Sequence, residues 1–267
     1  MEAHDLIILE DAVRIVKEAA KRGLYLRLLG AIGIKVNASH HDDLFNRLDR
    51  LASEKKFTDI DFAAYSDQRG RVRGLLESLG YQVNQHALLL HGNTRMLFHH
   101  PAKEYITDVF FDKLEFSHAV HYGKKPQKGR LHLNPLTVSP TDLLLEKVQI
   151  HQINEKDIKD LILLLTANVV ADSEGPNTVN GKYVATLFSD DWEFWYEATI
   201  NLQKTLQFLE RYVKEKLVGE EVRATVSARV QDLLRFINSE PKTKRWEKRS
   251  KDGPKKRWWR DVEERSR

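Results

Sequence analysis

The segment Phe57-Thr-Asp-Ile-Asp-Phe-Ala-Ala-Tyr65 alternates charged and apolar residues at the two-residue period of a β-strand. On a strand, residues two apart share a face, so Asp59 and Asp61 stand together with Cα atoms about 6.6 Å apart. Ile60 and Phe62 then turn toward a core beneath them. An apolar run ending in Gly30 precedes this segment, and a second aspartate-bearing run, Tyr105-Ile-Thr-Asp-Val-Phe-Phe-Asp112, follows it. Three acidic groups on neighbouring strands beside a glycine turn suit magnesium and a nucleotide triphosphate.

Around those runs the pattern predicts alternating helices and strands. Residues 8–22 carry an apolar stripe at helical spacing (Leu9, Val13, Ile15, Val16, Ala19 and Ala20), and Gly23 stops it. Residues 24–29 read as a buried strand, Gly30 as a turn into the short segment 31–36, and 44–51 as a helix. Residues 59–65 read as a strand and 68–79 as a helix ended by Gly80. Two strands, 85–91 and 94–99, are expected to flank a turn at His91-Gly92-Asn93. A strand at 105–111 and a hairpin at 118–133 around Gly123 and Gly129 follow.

From Pro140 the periodicity becomes helical over 141–151, 155–167, 181–188, 190–216 and 220–238, with breaks at Gly175-Pro176-Asn177 and Gly219. The expected fold class is α+β: an α/β core over residues 1–135, then a helical domain over 136–240 and a basic, tryptophan-bearing tail over 241–267. No internal repeat or low-complexity tract interrupts this plan.

Composition narrows the function classes. The 267 residues are 31% charged and 41% apolar, as in a globular protein able to bury a core. No apolar run approaches the roughly 18 residues of a membrane span. Charges interrupt the first thirty residues, which lack a secretory pattern, so a cytoplasmic location is the expectation. The absence of cysteine excludes disulfides, thiolate metal sites and a thiol nucleophile.

Two carboxylates on one strand face, with a third on a neighbouring strand, suit divalent cations. Magnesium, or manganese in its place, favours oxygen ligands and keeps several waters. Paired ions about 3.5–4 Å apart activate an attacking oxygen and stabilise a leaving one. Asp108 is the expected third acid, because it lies inside an apolar strand where an unpaired charge is costly. Asp112 shares its face and competes for that role. Nineteen aspartates generate about one Asp-x-Asp by chance, and strand-end aspartates also cap turns. Gly30 allows close approach of a phosphate to the backbone at a helix start, and it equally suits a plain strand-to-helix turn.

Taken together, Leu28-Leu-Gly-Ala-Ile-Gly33, Thr58-Asp-Ile-Asp-Phe62 and Thr107-Asp-Val-Phe110 resemble the polymerase-β-like nucleotidyltransferase superfamily. The chain looks closest to bacterial nucleotidyltransferase-like proteins related to abortive-infection toxin enzymes. The similarity extends to Asp142-Leu-Leu-Leu-Glu-Lys147, Asn154-Glu-Lys-Asp-Ile-Lys-Asp160, Asp190-Asp-Trp-Glu-Phe-Trp195 and Pro241-Lys-Thr-Lys-Arg-Trp246.

The resemblance implies a nucleotidyltransferase core with a mixed sheet, in which Asp59, Asp61 and Asp108 hold magnesium and perform the chemistry. It places Gly30 and Ala31 at the nucleotide phosphates, Lys147 on the triphosphate, and Asp157 or Asp160 near the active centre. The substrates implied are an NTP and an RNA, protein or small-molecule acceptor. A non-catalytic nucleotide- or RNA-binding module and a toxin of a toxin–antitoxin pair are the alternatives. The chain departs from the family at Ala31, where serine or glycine is usual and the methyl donates nothing to a phosphate; Gly33 is a possible compensation.

Among other residues, Lys147 inside an apolar helix face needs either a phosphate or a structural carboxylate as its partner. Asp157 also suits a helix N-terminus. The eleven histidines show no zinc-site spacing, and His91 and Arg95 beside the expected turn read as solvated loop residues or as substrate contacts. The stripe Trp192, Trp195, Tyr196 and Thr199 reads as packing. The tail has twelve basic and five acidic residues from Lys242 to Arg267, with Trp246, Trp258 and Trp259 interleaved. Such a tail either stacks on unpaired bases while its cations neutralise phosphates, or is anchored by its indoles across the α/β domain.

Overall fold

The computed structural model describes residues 3–51 and 55–261. The last six residues of the expected basic tail, 262–267, lie outside the described residues. The helices are α1 (Ala3–Lys21), α2 (Gly30–Asn37), α3 (Asp42–Leu48), α4 (Arg69–Ser78), α5 (Gln85–His91), α6 (Pro140–Val148), α7 (Glu155–Ala167), α8 (Gly181–Asp190), α9 (Trp192–Lys214), α10 (Glu220–Ser239) and α11 (Lys244–Ser250). The strands are β1 (Leu26–Leu28), β2 (Asp59–Ala64), β3 (Gln82–Val83), β4 (Arg95–His99), β5 (Ile106–Phe111), β6 (Lys113–Glu115), β7 (Ala119–His121), β8 (Val169–Ala171) and β9 (Thr178–Asn180). The fold is mixed α+β, with a five-stranded mixed sheet and a C-terminal helical region.

The described residues form two units. One takes those of Met1–Ser39, Asp49–Leu114 and His121–Ser139, and the other those of His40–Leu48, Glu115–Val120 and Pro140–Arg267. In the first unit the sheet order is β1-β2-β5-β4-β3, with β2 and β5 parallel and the other neighbours antiparallel. Register sorts the side chains: Ile60, Phe62, Ala64, Val109, Phe111, Met96, Phe98, Leu26 and Leu28 share one face, all buried. Helix α1 packs on β1 and β2, with Ile8, Ala12, Ile15, Val16 and Ala19 fully buried. The free edge of β1 is covered by residues 136–138, since Leu28 exchanges backbone hydrogen bonds with Leu136 and Val138.

The second unit is a helical assembly. Helices α6 and α7 pack together and against α9, α10 packs on α7, α8 and α9, and α3 joins at α7. Helix starts are fixed by side chains: Asn154, Asn180, Asp191 and Thr243 accept hydrogen bonds from the backbone amides of Asp157, Tyr183, Phe194 and Trp246. The indole stripe on α9 is packing, with Trp192 stacked on Tyr196 at a centroid distance of 4.9 Å.

Two expected hairpins take other forms. Residues 85–91 are helix α5, because Asn84 caps the amide of Ala87 and the leucine-rich run favours a helix. Gly92 closes that helix, where a Cβ would lie 2.4 Å from the Leu88 carbonyl oxygen. The partner of β4 is instead the short β3. Downstream, the hairpin is the pair β6–β7, turning through Phe116–His118. Residues 122–139 are largely irregular and are fastened by the Tyr65 hydroxyl, which accepts from the Leu131 amide at 2.8 Å. The strands β8 and β9 and the helix α11 were not expected from the pattern.

His118 is 5% exposed, stacks on Phe194 with centroids 5.0 Å apart, and its Nε2 has no hydrogen-bond partner. Burial therefore pushes its pKa from 6.5 down to about 4, against a smaller upward pull from Glu193. Between those values the unfolded chain binds a proton that the folded chain refuses, so stability is complete above pH 6.5 and falls as pH drops toward 4. Denaturant unfolding at pH 7.5 and pH 5 should show a loss of about 2 kcal/mol from this residue. His118→Phe should remove that share of the slope, and an unchanged slope would show that His118 titrates normally.

Candidate functional site

The acids meet through strand register. In the parallel pair β2–β5, Asp61 is the direct partner of Asp108 and Asp59 is the partner of Ile106. All three aspartates therefore project from the sheet face opposite the apolar one. Asp59 and Asp61 are half-buried, whereas Asp108 is 1% exposed. The Thr58 hydroxyl donates to Asp59 Oδ1 at 3.1 Å.

Gly30 closes on this row. It adopts φ +63° at the start of α2, and a Cβ there would lie 3.0 Å from Asp61 Oδ2. The Leu29 amide bonds the Asp61 carbonyl at 3.1 Å, so the turn and the acid strand are tied by backbone. Leu29 provides no side-chain cap to α2. The first turn of α2 thus begins beside a carboxylate, with Ala31 next in the chain. Gly33 sits inside α2, buried, and its amide is bonded to the Leu29 carbonyl. That amide is not available to replace a donor at position 31.

Arg95 is the residue that sequence reasoning undervalued. It is a strand residue of β4, and its guanidinium donates Nε to Asp108 Oδ1 and Nη2 to Asp108 Oδ2, both at 2.7 Å. This is the two-pronged arrangement in which a guanidinium matches a carboxylate. Burial pulls the Arg95 pKa down. Its bonds to Asp108 and the field of Asp108, Asp61 and Asp59 outweigh that and hold it above its ordinary value. The guanidinium also lies 5.1 Å from the centroid of the Phe110 ring. The signal for it was in the chain: Arg95 heads an apolar strand run, and three acids on one face demand a cation.

Asp112 stands apart from the row. It falls one residue past β5 with φ +67°, and its Oδ1 accepts from the Ser66 amide at 2.8 Å. It therefore serves as a turn residue, and Asp108 is the acid in register with Asp61.

Lys147, Asp157 and Asp160 belong to the helical unit and form a cluster of their own. Lys147 Nζ lies 2.8 Å from Asp157 Oδ1 and 2.8 Å from Asp160 Oδ2, with all three side chains at most 8% exposed. Asp157 also opens α7, its amide capped by Asn154. The lysine thus has the structural carboxylate partners that its apolar helix face required.

The tail tryptophans are likewise engaged within the helical unit. Trp246 packs edge-on against Trp195 at 5.0 Å, Trp258 Nε1 donates to Glu197 Oε2 at 2.7 Å, and Trp259 stacks on His151 at 3.8 Å. Arg249 bonds Glu193 at 2.6 Å and covers the Trp192 ring at 4.5 Å. Of the two expectations for the tail, anchoring by its indoles describes these contacts, and the partners are α9 and the residues after α6. Lys244, Lys248, Lys251, Lys255 and Lys256 remain exposed.

Among the described residues, no group of three or more acid or histidine side chains is arranged to hold a metal ion, and no helix is long and apolar enough to cross a membrane. The chain matches no protein-family model, no curated protein and no solved structure.

Two substitutions test this geometry. Gly30→Ala forces a side chain into a left-handed turn against Asp61, and unfolding experiments should show a loss of about 1–2 kcal/mol. A neutral result would mean that the turn relaxes freely. Lys147→Met removes the ammonium that both buried carboxylates contact, and the expected cost in denaturant is about 3–5 kcal/mol. A cost below about 1 kcal/mol would show that the cluster is solvated in solution.

Proposed function

We propose that the α/β unit is the core of a nucleotidyltransferase that moves a nucleotidyl group from an NTP to an acceptor hydroxyl. The observation that carries this reading is the convergence of Gly30, in its left-handed turn at the start of α2, on Asp61 in register with Asp108. The sheet supplies the frame, since adjacent strands bring the acids to one face beside a helix start.

The donor set fits magnesium or manganese: Asp59 and Asp61 offer two half-buried carboxylates on one face, and water completes such a shell. A divalent ion held there supplies charge neutralisation for the triphosphate and for the departing pyrophosphate. The acceptor oxygen bonds to the α-phosphorus as the bond from that phosphorus to the β-phosphate oxygen breaks. In this reading Asp108 takes the acceptor proton once its hydrogen bonds to Arg95 are broken. The amides of the first turn of α2 favour an anion by their orientation. Lys147, Asp157 and Asp160 serve this reading as the internal brace of the helical unit.

A non-catalytic nucleotide-binding module is the second reading. It is favoured by Ala31 and by the capture of both Asp108 oxygens by Arg95. Incubation with each radiolabelled NTP, magnesium or manganese, and bulk RNA or protein separates the two. Incorporation is expected in the native chain and should fall by at least about a hundredfold in Asp61→Asn, as for loss of a principal charge-stabilising group. Nucleotide binding without transfer to any acceptor would leave only the binding module.

A further inference from the structure

Asp108 presents a problem in electrostatics that Arg95 solves. A carboxylate 1% exposed beside a second carboxylate is costly to bury unless a cation is in contact with it. Arg95 provides that cation with two 2.7 Å bonds, one to each oxygen. Both Asp108 oxygens therefore already serve a positive charge, and a divalent ion binding to either meets the field of the guanidinium and competes with it for that oxygen.

The position of Arg95 permits the exchange. Its side chain is 20% exposed, against 2% for Asp108, so Arg95 is the more accessible member of the pair. The Phe110 ring, 5.1 Å from it, offers a planar surface against which a guanidinium can shift without losing contact. A guanidinium released beside Asp59 and Asp61 is also a natural partner for two oxygens of a phosphate.

We propose that Arg95 is a positioning residue acting as a resident counter-ion. It competes with the divalent cation for Asp108 and, when displaced, takes up the triphosphate of the incoming nucleotide. This rests on the metal-binding reading of Asp59 and Asp61. Arg95 therefore has opposite effects on two ligands, weakening the binding of the bare cation and strengthening that of the cation with phosphates. A residue that merely clamps the sheet would not produce that pair of signs.

The test uses the full chain, with free Mn2+ measured by electron paramagnetic resonance and binding of the manganese–tripolyphosphate complex measured by calorimetry. Tripolyphosphate carries the shared chemistry of all four NTPs and removes base choice from the result. Arg95→Met should tighten Mn2+ by about tenfold and weaken manganese–tripolyphosphate by about tenfold, the scale of one close charge pair. Arg95→Lys keeps the charge without the fork, so it should fold even if the methionine variant does not. It should tighten Mn2+ by a smaller factor and retain most of the phosphate binding.

Asp61→Asn is the control for the metal reading and should abolish Mn2+ binding. If it does so while both Arg95 variants bind Mn2+ no better than the native chain, the counter-ion proposal is overturned and the metal site stands. If neither the native chain nor any Arg95 variant binds Mn2+, the metal reading fails and this proposal falls with it.

Discussion

The parallel pairing of β2 with β5 sets Asp61 directly beside Asp108, and that single register creates the electrostatic constraint of the α/β unit. Like charges opposite one another on a sheet destabilise it, and Asp108 is too deeply buried for water to screen the repulsion. Something positive must stand there. Arg95 reaches it only because β4 pairs antiparallel with β5, bringing Leu97 opposite Asp108 and Arg95 two residues further along the same face. A one-residue slip of either pairing would turn the acids or the arginine into the apolar layer. The hydrophobic face beneath, from Leu28 through Phe62 and Val109 to Met96, therefore fixes the charge arrangement above it.

Each unit meets the same problem, two aspartates around one cation, with a different residue. In the helical unit, Lys147 is closed in between Asp157 and Asp160, its side chain 8% exposed. A compact ammonium held in this way bridges two carboxylates of α7. In the α/β unit, the Arg95 side chain is 20% exposed and holds both oxygens of Asp108 by direct bonds. A planar guanidinium at a rim can exchange one oxygen partner for another at little cost in its own hydration. The two clusters thus differ in the accessibility of their cation, 8% exposed for Lys147 and 20% for Arg95.

Much of the frame was legible because its signals are local. The alternation in Thr58-Asp-Ile-Asp-Phe62 determines which side chains share a face whatever the sheet order, and Gly30 after an apolar run marks a turn. The helical region was legible from periodicity and its glycine breaks. Residues 85–91 misled because a leucine-rich heptapeptide has no clear period, and the deciding signals were the Asn84 cap and the Gly92 stop. Arg95 was undervalued for a related reason. Once residues 85–91 are taken as a strand, Arg95 falls beside a tight turn instead of at the head of β4. Its partner Asp108 is set by non-local pairing, which no sequence window displays. The role of Asp112 was hidden likewise, because its left-handed backbone and its bond to Ser66 arise from where β5 ends.

The placement of Gly30 also dictates an order of events for any phosphate ligand. A Cβ on Gly30 would lie 3.0 Å from Asp61 Oδ2, so an anion approaching the first amides of α2 also approaches that carboxylate. Attraction to a helix N-terminus amounts to about 0.3–1 kcal/mol at an exposed site. Repulsion between two unit charges about 4 Å apart is about 1 kcal/mol in water and about 4 kcal/mol at the effective dielectric near a protein surface. The repulsion wins unless a cation lies between the two anions. A hydroxyl at position 31 would add one neutral hydrogen bond, about 1 kcal/mol net, and would not reverse that balance. On the proposed reading, a phosphate at this turn would need positive charge gathered at Asp59 and Asp61, and the methyl of Ala31 would be a secondary loss beside that condition.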